Sequence, residues 1–216
     1  MELLAQGRDA DVYALDDERV LRRCRHGEPS QTEIRIQSHV RQAGYPVPEI
    51  FDVSGRDIVM ERLHGPSLME TMLDGAEDGV ATLAEVHNRL HELSAPDWLR
   101  GHDSGGDRIA HLDLHPANVI VTESGPVVID WTNAVAAHPG LDVADTIVVL
   151  SVAIPDGVDL AVLDAGRRRL TEEFAAKVDH DPNPWLPTAI RQRMVNPNLK
   201  PAEGQLLRDW LSELES

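Results

Sequence analysis

Residues 111–131, which read HLDLHPANVIVTESGPVVIDW, constrain the fold more than any other stretch of this chain. Proline has no backbone N–H, so Pro116 ends any strand that begins before it and predicts a loop. The apolar runs VIV and VVID, separated by the turn residues TESGP, predict two short strands that turn the chain back on itself. This arrangement would bring Asp130 beside the loop that carries Asp113 and Asn118.

Two chemistries are compatible with this stretch, and they depend on the conformation of its first five residues. In an extended strand alternate side chains share a face, so His111, Asp113 and His115 would form a divalent metal site suited to hydrolysis. In a loop, Asp113 can take the proton of an acceptor hydroxyl, while oxygen atoms of Asn118 and Asp130 suit Mg²⁺ on nucleotide phosphates. Histidine is a poor ligand for Mg²⁺, so the loop and hairpin context favours magnesium and phosphate. The metallohydrolase is kept as an alternative.

The chain changes character near residue 64. The part before it contains the β-like runs DVYAL, RVLRRC, IFDV and DIVME, with one helix predicted within SQTEIRIQSHVRQAG. Beyond it, apolar residues recur at helical spacing, and His87 falls on the buried stripe of the first such helix as a core histidine. We therefore expect an α+β protein with a β-rich lobe over residues 1–64 and a mainly helical lobe over residues 65–216.

The charge of the chain limits its partners. It has 37 acidic and 20 basic residues, a net charge of -17, and residues 49–150 alone hold 18 acidic and 5 basic side chains. This charge repels nucleic acid and anionic membranes, so we expect neither as a partner. No apolar run reaches the roughly 18 residues that span a bilayer, and the N-terminus MELLAQGRDADVY lacks an export signal, so we expect a cytoplasmic protein. The single cysteine, Cys24, excludes a cysteine-based metal cluster within one chain.

The segment HLDLHPANVIV…VVIDW resembles the HxDxxxxN catalytic loop and the following aspartate of the aminoglycoside phosphotransferase and choline kinase family. That family has a two-lobed protein-kinase-like fold, with a small β-rich N-terminal lobe and a larger, mainly helical C-terminal lobe. The resemblance implies that Asp113 is the catalytic base and that Asn118 and Asp130 bind Mg²⁺.

Two further positions would support the catalytic loop by the same resemblance. His111 takes the place of the structural histidine at the start of the loop. The family also has an aspartate that braces the loop through backbone hydrogen bonds. In GLDVAD, Asp142 fits that aspartate better than Asp145 does.

The resemblance also implies a nucleotide site in the first lobe. Gly7, in QGRDADVY, would belong to a turn that covers the phosphates. Arg22, in RVLRRC, stands where the family has a lysine that contacts the phosphates, and Glu33 is its expected partner. Arginine supplies a permanent charge and a fork of donors that suit phosphate.

The segment DIVMERLHG resembles the hinge that joins the two lobes. Adenine would form hydrogen bonds with backbone groups near Glu61 and Leu63, and Met60 would guard the pocket. The implied nucleotide is ATP, with GTP as the other candidate.

These observations predict an ATP-dependent phosphotransferase that acts on a hydroxyl of a small molecule. The concentration of carboxylates favours a cationic acceptor such as an aminoglycoside or an amino alcohol. The protein is expected as a monomer or a homodimer. Because Arg22 replaces the lysine and the glycine turn is sparse, a catalytically weak nucleotide-binding or regulatory relative is a further alternative.

Overall fold

The structure, a computed structural model, describes residues 1–7, 9–153, 160–197 and 199–216. The chain divides into two compact units, each made of two chain segments. The first unit consists of Met1–Asp74 with Ala117–Ala134, and the second of Gly75–Pro116 with Val135–Ser216. The first unit thus takes in the hairpin that follows the catalytic-loop motif, while the expected lobe boundary at residues 64 and 65 stays a prediction. Arg8, in the predicted glycine turn, lies outside the described residues.

An antiparallel sheet of five strands, in the order β1-β2-β3-β5-β4, forms the centre of the first unit. The strands are β1 (Glu2–Gln6), β2 (Ala10–Ala14), β3 (Arg19–Cys24), β4 (Ile50–Ser54) and β5 (Asp57–Glu61). The four strands expected from the sequence are confirmed. Strand β1 is an addition to the predicted strands: its side chains are all exposed, and its backbone pairs with β2.

Helix α1 (Gln31–Gln42) is the helix predicted within SQTEIRIQSHVRQAG. It buries Ile36 and Val40, which are fully inaccessible to solvent and lie four positions apart on one face. The helix ends just before Gly44, whose φ of +83° favours glycine.

The predicted hairpin is also present, as β7 (Val119–Thr122) and β8 (Gly125–Val128). Two backbone hydrogen bonds tie it to the first unit: Val121 N–H donates to the carbonyl of Pro66 at 2.9 Å, and Val128 N–H to that of Pro46 at 2.9 Å. A short helix, α2 (Leu68–Leu73), follows Pro66 in the chain and begins with a capping box formed by Ser67 and Glu70.

The second unit is mainly helical, as predicted. Its helices are α3 (Gly79–His91), α4 (Pro139–Val152), α5 (Leu160–Ala175), α6 (Leu186–Met194) and α7 (Pro201–Leu214). A two-stranded sheet of β6 (Arg108–Ala110) and β9 (Val135–Ala137) accompanies them. Among the described residues, no helix combines the length and the apolarity that crossing a membrane requires.

Helix α4 is the central helix of the second unit. Nearly all of its residues are buried, which agrees with an apolar sequence that has no polar face. It begins favourably for a helix, with His138 Nδ1 accepting the N–H of Gly140 at 3.1 Å and Pro139 at the first helical position. Three of its four polar residues, Asp142, Asp145 and Thr146, are buried, and Ser151 is partly exposed.

Candidate active site

Residues 111–115 follow β6 in a loop rather than in a strand, and Asp142 holds this loop. One carboxylate oxygen of Asp142 accepts the N–H of Leu112 at 2.6 Å, and the other accepts from His91 Nε2 at 2.9 Å. Burial opposes ionisation of Asp142, but the hydrogen bond from His91 and the nearby imidazoles lower its pKa below the usual range. An ionised Asp142 therefore fixes the N–H group of Leu112, the residue before Asp113.

A second buried pair fixes the backbone directly after Asp113. His87 Nε2 lies 3.0 Å from the carbonyl oxygen of Leu114, and the Thr146 hydroxyl donates to the same oxygen at 2.8 Å. Burial lowers the pKa of His87 to about 4, so the ring is neutral near pH 7 and its Nε2–H can donate. Asp113 thus lies between two anchored peptide groups.

Two residues of the motif have left-handed backbone conformations. Leu112 has a φ of +55° and Asp130 a φ of +65°, and they are the non-glycine residues with positive φ in the described part of the chain. A left-handed conformation disfavours leucine, whereas aspartate tolerates it better. Such strain persists where surrounding contacts enforce it, as the hydrogen bond between Leu112 and Asp142 does here.

The histidines of the motif differ in their surroundings. His115 Nε2 lies 3.5 Å from Asp113 Oδ1, and both side chains are partly exposed. His111 is fully buried at the end of β6. In the described part of the chain, the three potential metal ligands whose donor atoms all lie within 4.8 Å are His87, His91 and Asp142. His111, Asp113 and His115, which the metallohydrolase alternative requires, do not form a group of ligand atoms within that distance.

In the first unit, Arg22 and Glu33 form a buried ion pair between β3 and α1. Arg22 Nη1 lies 2.6 Å from Glu33 Oε1, and the side chains are 19% and 7% exposed. Burial raises the pKa of Glu33 in spite of the attraction of Arg22. Burial also opposes the Arg22 cation, but Glu33 and then Asp130 attract it and raise its pKa overall. Arg22 therefore keeps its positive charge within electrostatic reach of Asp130.

The open end of the β7–β8 hairpin brings Asn118 and Asp130 together in the first unit. Ile129 N–H donates to the carbonyl oxygen of Asn118 at 3.0 Å, so the residue before Asp130 is bonded to Asn118. The Thr132 hydroxyl donates to Asp130 Oδ1 at 2.9 Å and also interacts with Glu33. This hydrogen bond restricts the orientation of the Asp130 carboxylate.

Gly7 forms the turn between β1 and β2. Its N–H donates to the carbonyl of Ala10 at 2.9 Å, and a Cβ at Gly7 would lie 2.8 Å from that same oxygen. The turn itself therefore requires glycine at this position, independently of any nucleotide.

The predicted hinge follows β5. Glu61 N–H donates to the carbonyl of Glu49 at 2.8 Å, and Arg62 N–H donates to that of Glu18 at 2.8 Å. Met60, Glu61 and Leu63 are all half-buried. The N–H groups of Glu61 and Arg62 are thus already bonded within the protein.

The structure adds supporting residues to which the sequence analysis assigns no role. His91 follows His87 by four positions in α3, and Thr146 follows Asp142 by four positions in α4. Helical spacing places each pair on one face, so a local signal for both existed. Thr132 has no such signal, because its contact with Glu33 depends on where α1 packs.

The fold and the site together define the class of this protein. A strand cation paired with a glutamate of the next helix is the arrangement that protein kinases use at the nucleotide phosphates. The predicted two-lobed, protein-kinase-like α+β fold is confirmed by similar solved structures. One is a thermostable mutant of the aminoglycoside phosphotransferase APH(4)-Ia in a ternary complex with AMP-PNP and hygromycin B. It has a TM-score of 0.68 and 12% identity, covering 99% of this chain and 92% of that one.

A second similar structure is that of a choline/ethanolamine kinase family protein from Mesorhizobium loti. Its TM-score is 0.61 at 14% identity, with 99% of this chain and 77% of that chain covered. The model of the phosphotransferase enzyme family matches residues 1–108 and 97–177, and the chain belongs to this family. The resemblance stated from the catalytic-loop motif is therefore confirmed.

Curated relatives share only part of their length with this chain. The chain is 30% identical over 120 residues to a probable serine/threonine-protein kinase BUD32 homolog from Archaeoglobus fulgidus. The matched region covers 56% of this chain and 50% of that relative, so the chain spans about half the length of the relative.

Proposed function

We propose that this protein is an ATP-dependent phosphotransferase that moves the γ-phosphoryl group to a hydroxyl of a small molecule, with Asp113 as the base. The observation that carries the proposal is the position of Asp113 between two anchored peptide groups, those of Leu112 and Leu114. A base must lie within about 3 Å of the hydroxyl oxygen whose proton it removes, so a fixed backbone on both sides supports this role.

The proposed reaction is a direct displacement at phosphorus. The acceptor hydroxyl gives its proton to the Asp113 carboxylate as its oxygen bonds to the γ-phosphorus. The bond between that phosphorus and the β,γ-bridging oxygen breaks, and ADP leaves with the electron pair. Asp113 then releases its proton to solvent, so the products are the phosphorylated acceptor, ADP and one proton.

Asn118 and Asp130 are the proposed Mg²⁺ ligands. Their amide and carboxylate oxygens are of the type that this ion prefers, and the hydrogen bond from Thr132 orients Asp130 in advance, so the donor set fits. When bound, the ion neutralises negative charge on the triphosphate. Asn118 stands only five positions after Asp113 in the chain, which supports a shared task for these residues.

Arg22 is the proposed contact to the phosphates that precede the transferred group. Its Nη1 is bonded to Glu33, and this bond fixes the direction of a planar guanidinium with further donors. The proposed base site lies along Met60, Glu61 and Leu63, where the Glu61 carbonyl and the Leu63 N–H would bind adenine. Gly7 would keep the turn before β2 close to the phosphates.

A protein hydroxyl is the second candidate acceptor. The probable serine/threonine-protein kinase BUD32 homolog from Archaeoglobus fulgidus is a relative that supports it. The fold alone is compatible with both acceptor classes, because small-molecule and protein kinases share it. The catalytically weak alternative predicts nucleotide binding without transfer to either class.

The test is ADP formation from ATP and Mg²⁺ with a panel of sugars, polyols, amino alcohols, aminoglycosides and a serine-containing protein mixture. Transfer to a small molecule that falls at least a hundredfold in Asp113→Asn supports the proposal. Asp107→Asn is the matched control, because Asp107 is a strongly exposed aspartate, and it should retain full activity. Transfer to proteins alone would favour the second candidate, and equal activity in Asp113→Asn would refute the role of Asp113.

A further inference from the structure

Two buried polar groups of the second unit, Asp145 and Arg193, have atoms without a hydrogen-bond partner among the described residues. Asp145 stands on α4 directly before Thr146, which holds the loop of Asp113. Asp145 follows Asp142 by three positions on α4, is only 7% exposed, and has an Oδ2 atom without a hydrogen-bond partner among the described residues. Arg193, on α6, has a buried Nε that likewise lacks such a partner. Helices α4 and α6 pack against each other.

The charges of Asp113 and Arg193 both influence the pKa of Asp145. Burial, followed by the negative charges of Asp113 and Asp142, raises the pKa of Asp145 well above its usual value, and Arg193 acts in the opposite direction. Burial and these negative charges thus oppose ionisation of Asp145.

An unsatisfied buried donor or acceptor destabilises a protein, so two such groups on helices that pack together indicate a missing ligand group. A hydroxyl satisfies both, because it can accept the Nε–H of Arg193 and share a hydrogen bond with Asp145. An ammonium group suits them poorly, because the guanidinium of Arg193 repels a cation. A carboxylate or phosphate would accept from Arg193 but would be repelled by Asp113.

We propose that Asp145 and Arg193 form part of the acceptor site beside Asp113, and that they bind a second, non-reacting hydroxyl of a neutral sugar or polyol. The inference rests on the proposed phosphotransferase function and refines its acceptor class. The acidic excess of the chain predicts a cationic alcohol as the acceptor. The neutral acceptor inferred from Asp145 and Arg193 differs from that expectation.

Acceptors that differ at one position give the sharpest test. D-glucose, 2-deoxy-D-glucose and D-glucosamine carry a hydroxyl, a hydrogen and an amine at the same carbon, and ribose with 2-deoxyribose forms a second set. For the wild-type protein we expect kcat/KM to be at least tenfold higher for at least one hydroxyl compound than for its deoxy and amino analogues, because a site built for a hydroxyl rejects compounds without it.

The variants Arg193→Gln and Asp145→Asn should lower this hydroxyl-to-deoxy ratio towards one, and Arg193→Gln should raise the relative use of glucosamine. A merely structural role would reduce activity on all three compounds alike and leave the ratio unchanged. Arg191→Gln is the control, because Arg191 is exposed on the same helix and bonds to Glu215. Thermal unfolding of each variant identifies any that fail to fold, and the second variant then carries the test.

The possible results separate this inference from the proposed function. Transfer to amino alcohols or aminoglycosides with no transfer to neutral sugars or polyols would overturn the inference and leave the phosphotransferase function standing. An unchanged ratio in both folded variants would overturn it too. Transfer to none of the acceptors would count against the proposed function itself, and with it against the inference.

Discussion

At the scale of single residues, buried side chains hold the backbone on both sides of Asp113 in the candidate site. Asp142 accepts the N–H of Leu112, and His87 with Thr146 contacts the carbonyl of Leu114. All three supporting side chains are fully buried, so water does not compete for these hydrogen bonds. The base candidate is thereby held in place while its side chain stays partly exposed.

Leu112 permits a direct measurement of the strain in this loop. Because its φ is +55°, we expect Leu112→Gly to be more stable than Leu112→Ala by about 1 kcal/mol. Both variants lose the leucine side chain, so the difference between them reports backbone conformation. Urea denaturation of the two proteins measures it.

Leu206 is the matched control for this comparison. It lies within α7 and is 42% exposed, so the helix favours alanine over glycine there by about 1 kcal/mol. The order of stability should therefore reverse between the two positions. Alanine as the more stable residue at position 112 would contradict a left-handed conformation in this loop.

At the scale of elements, the turn before β6 depends on one glycine. Gly106 has a φ of +119°, and a Cβ there would lie 2.1 Å from backbone atoms of Ala137 and His138. Backbone atoms cannot move aside as a flexible side chain can, so this glycine permits the close pairing of β6 with β9.

Gly106→Ala should therefore lower the free energy of unfolding by roughly 2–5 kcal/mol, from steric overlap and an unfavourable φ together. The adjacent Gly105 is the control, because its φ is +73° and a Cβ there meets no atom within 4 Å. Gly105→Ala should cost only about 1–2 kcal/mol. Equal losses in the two variants, measured by urea denaturation, would argue against the close approach of Gly106 to β9.

The elements that the sequence predicts are those with a strong local pattern. Strands β2 to β5, helix α1 and the β7–β8 hairpin combine apolar residues with clear turn signals. Strand β1 lacks buried side chains, and the β6–β9 pair joins segments of three residues each that are 25 positions apart. Strand β1 and the β6–β9 pair therefore lack a pattern of apolar residues that the sequence analysis could recognise. They form through backbone pairing with segments elsewhere in the chain.

The site shows the same division between local and tertiary information. The spacing of Asp113, Asn118 and Asp130 within one motif is a local signal, and it suggests a common chemistry for the three residues. The contact of Arg22 with Glu33, 11 positions apart, follows from the family resemblance and is present. Arg193 has no recognisable motif, and only the packing of α6 on α4 brings its charge near Asp145.

At the scale of the whole molecule, the buried residue His87 makes stability depend on pH. The pKa of His87 is about 4 in the folded protein and about 6.5 in an unfolded chain. Below pH 6.5 the unfolded state therefore binds a proton that folded His87 does not. The contribution of this residue is fully present above about pH 6.5 and is lost as the pH falls towards 4.

We expect the protonation of His87 to lower the free energy of unfolding by about 3 kcal/mol as the pH falls from about 6.5 to about 4. His87→Gln should remove the corresponding part of the pH dependence, which urea denaturation at pH 7, 6 and 5 would measure. His64→Gln, at an exposed histidine, should keep the wild-type dependence. Identical pH dependence in the wild type and His87→Gln would show that His87 is not buried as a neutral ring.

The central claim is that Asp130 helps to hold a magnesium-bound nucleotide on which Asp113 then acts. Calorimetric titration of ATP into the protein, with Mg²⁺ and with EDTA, tests this claim most directly. We predict that Mg²⁺ tightens binding by about tenfold or more in the wild type and in Asp113→Asn, and that Asp130→Asn loses this gain. Binding that is indifferent to Mg²⁺ in the wild type, or no binding of ATP at millimolar concentration, would contradict the account.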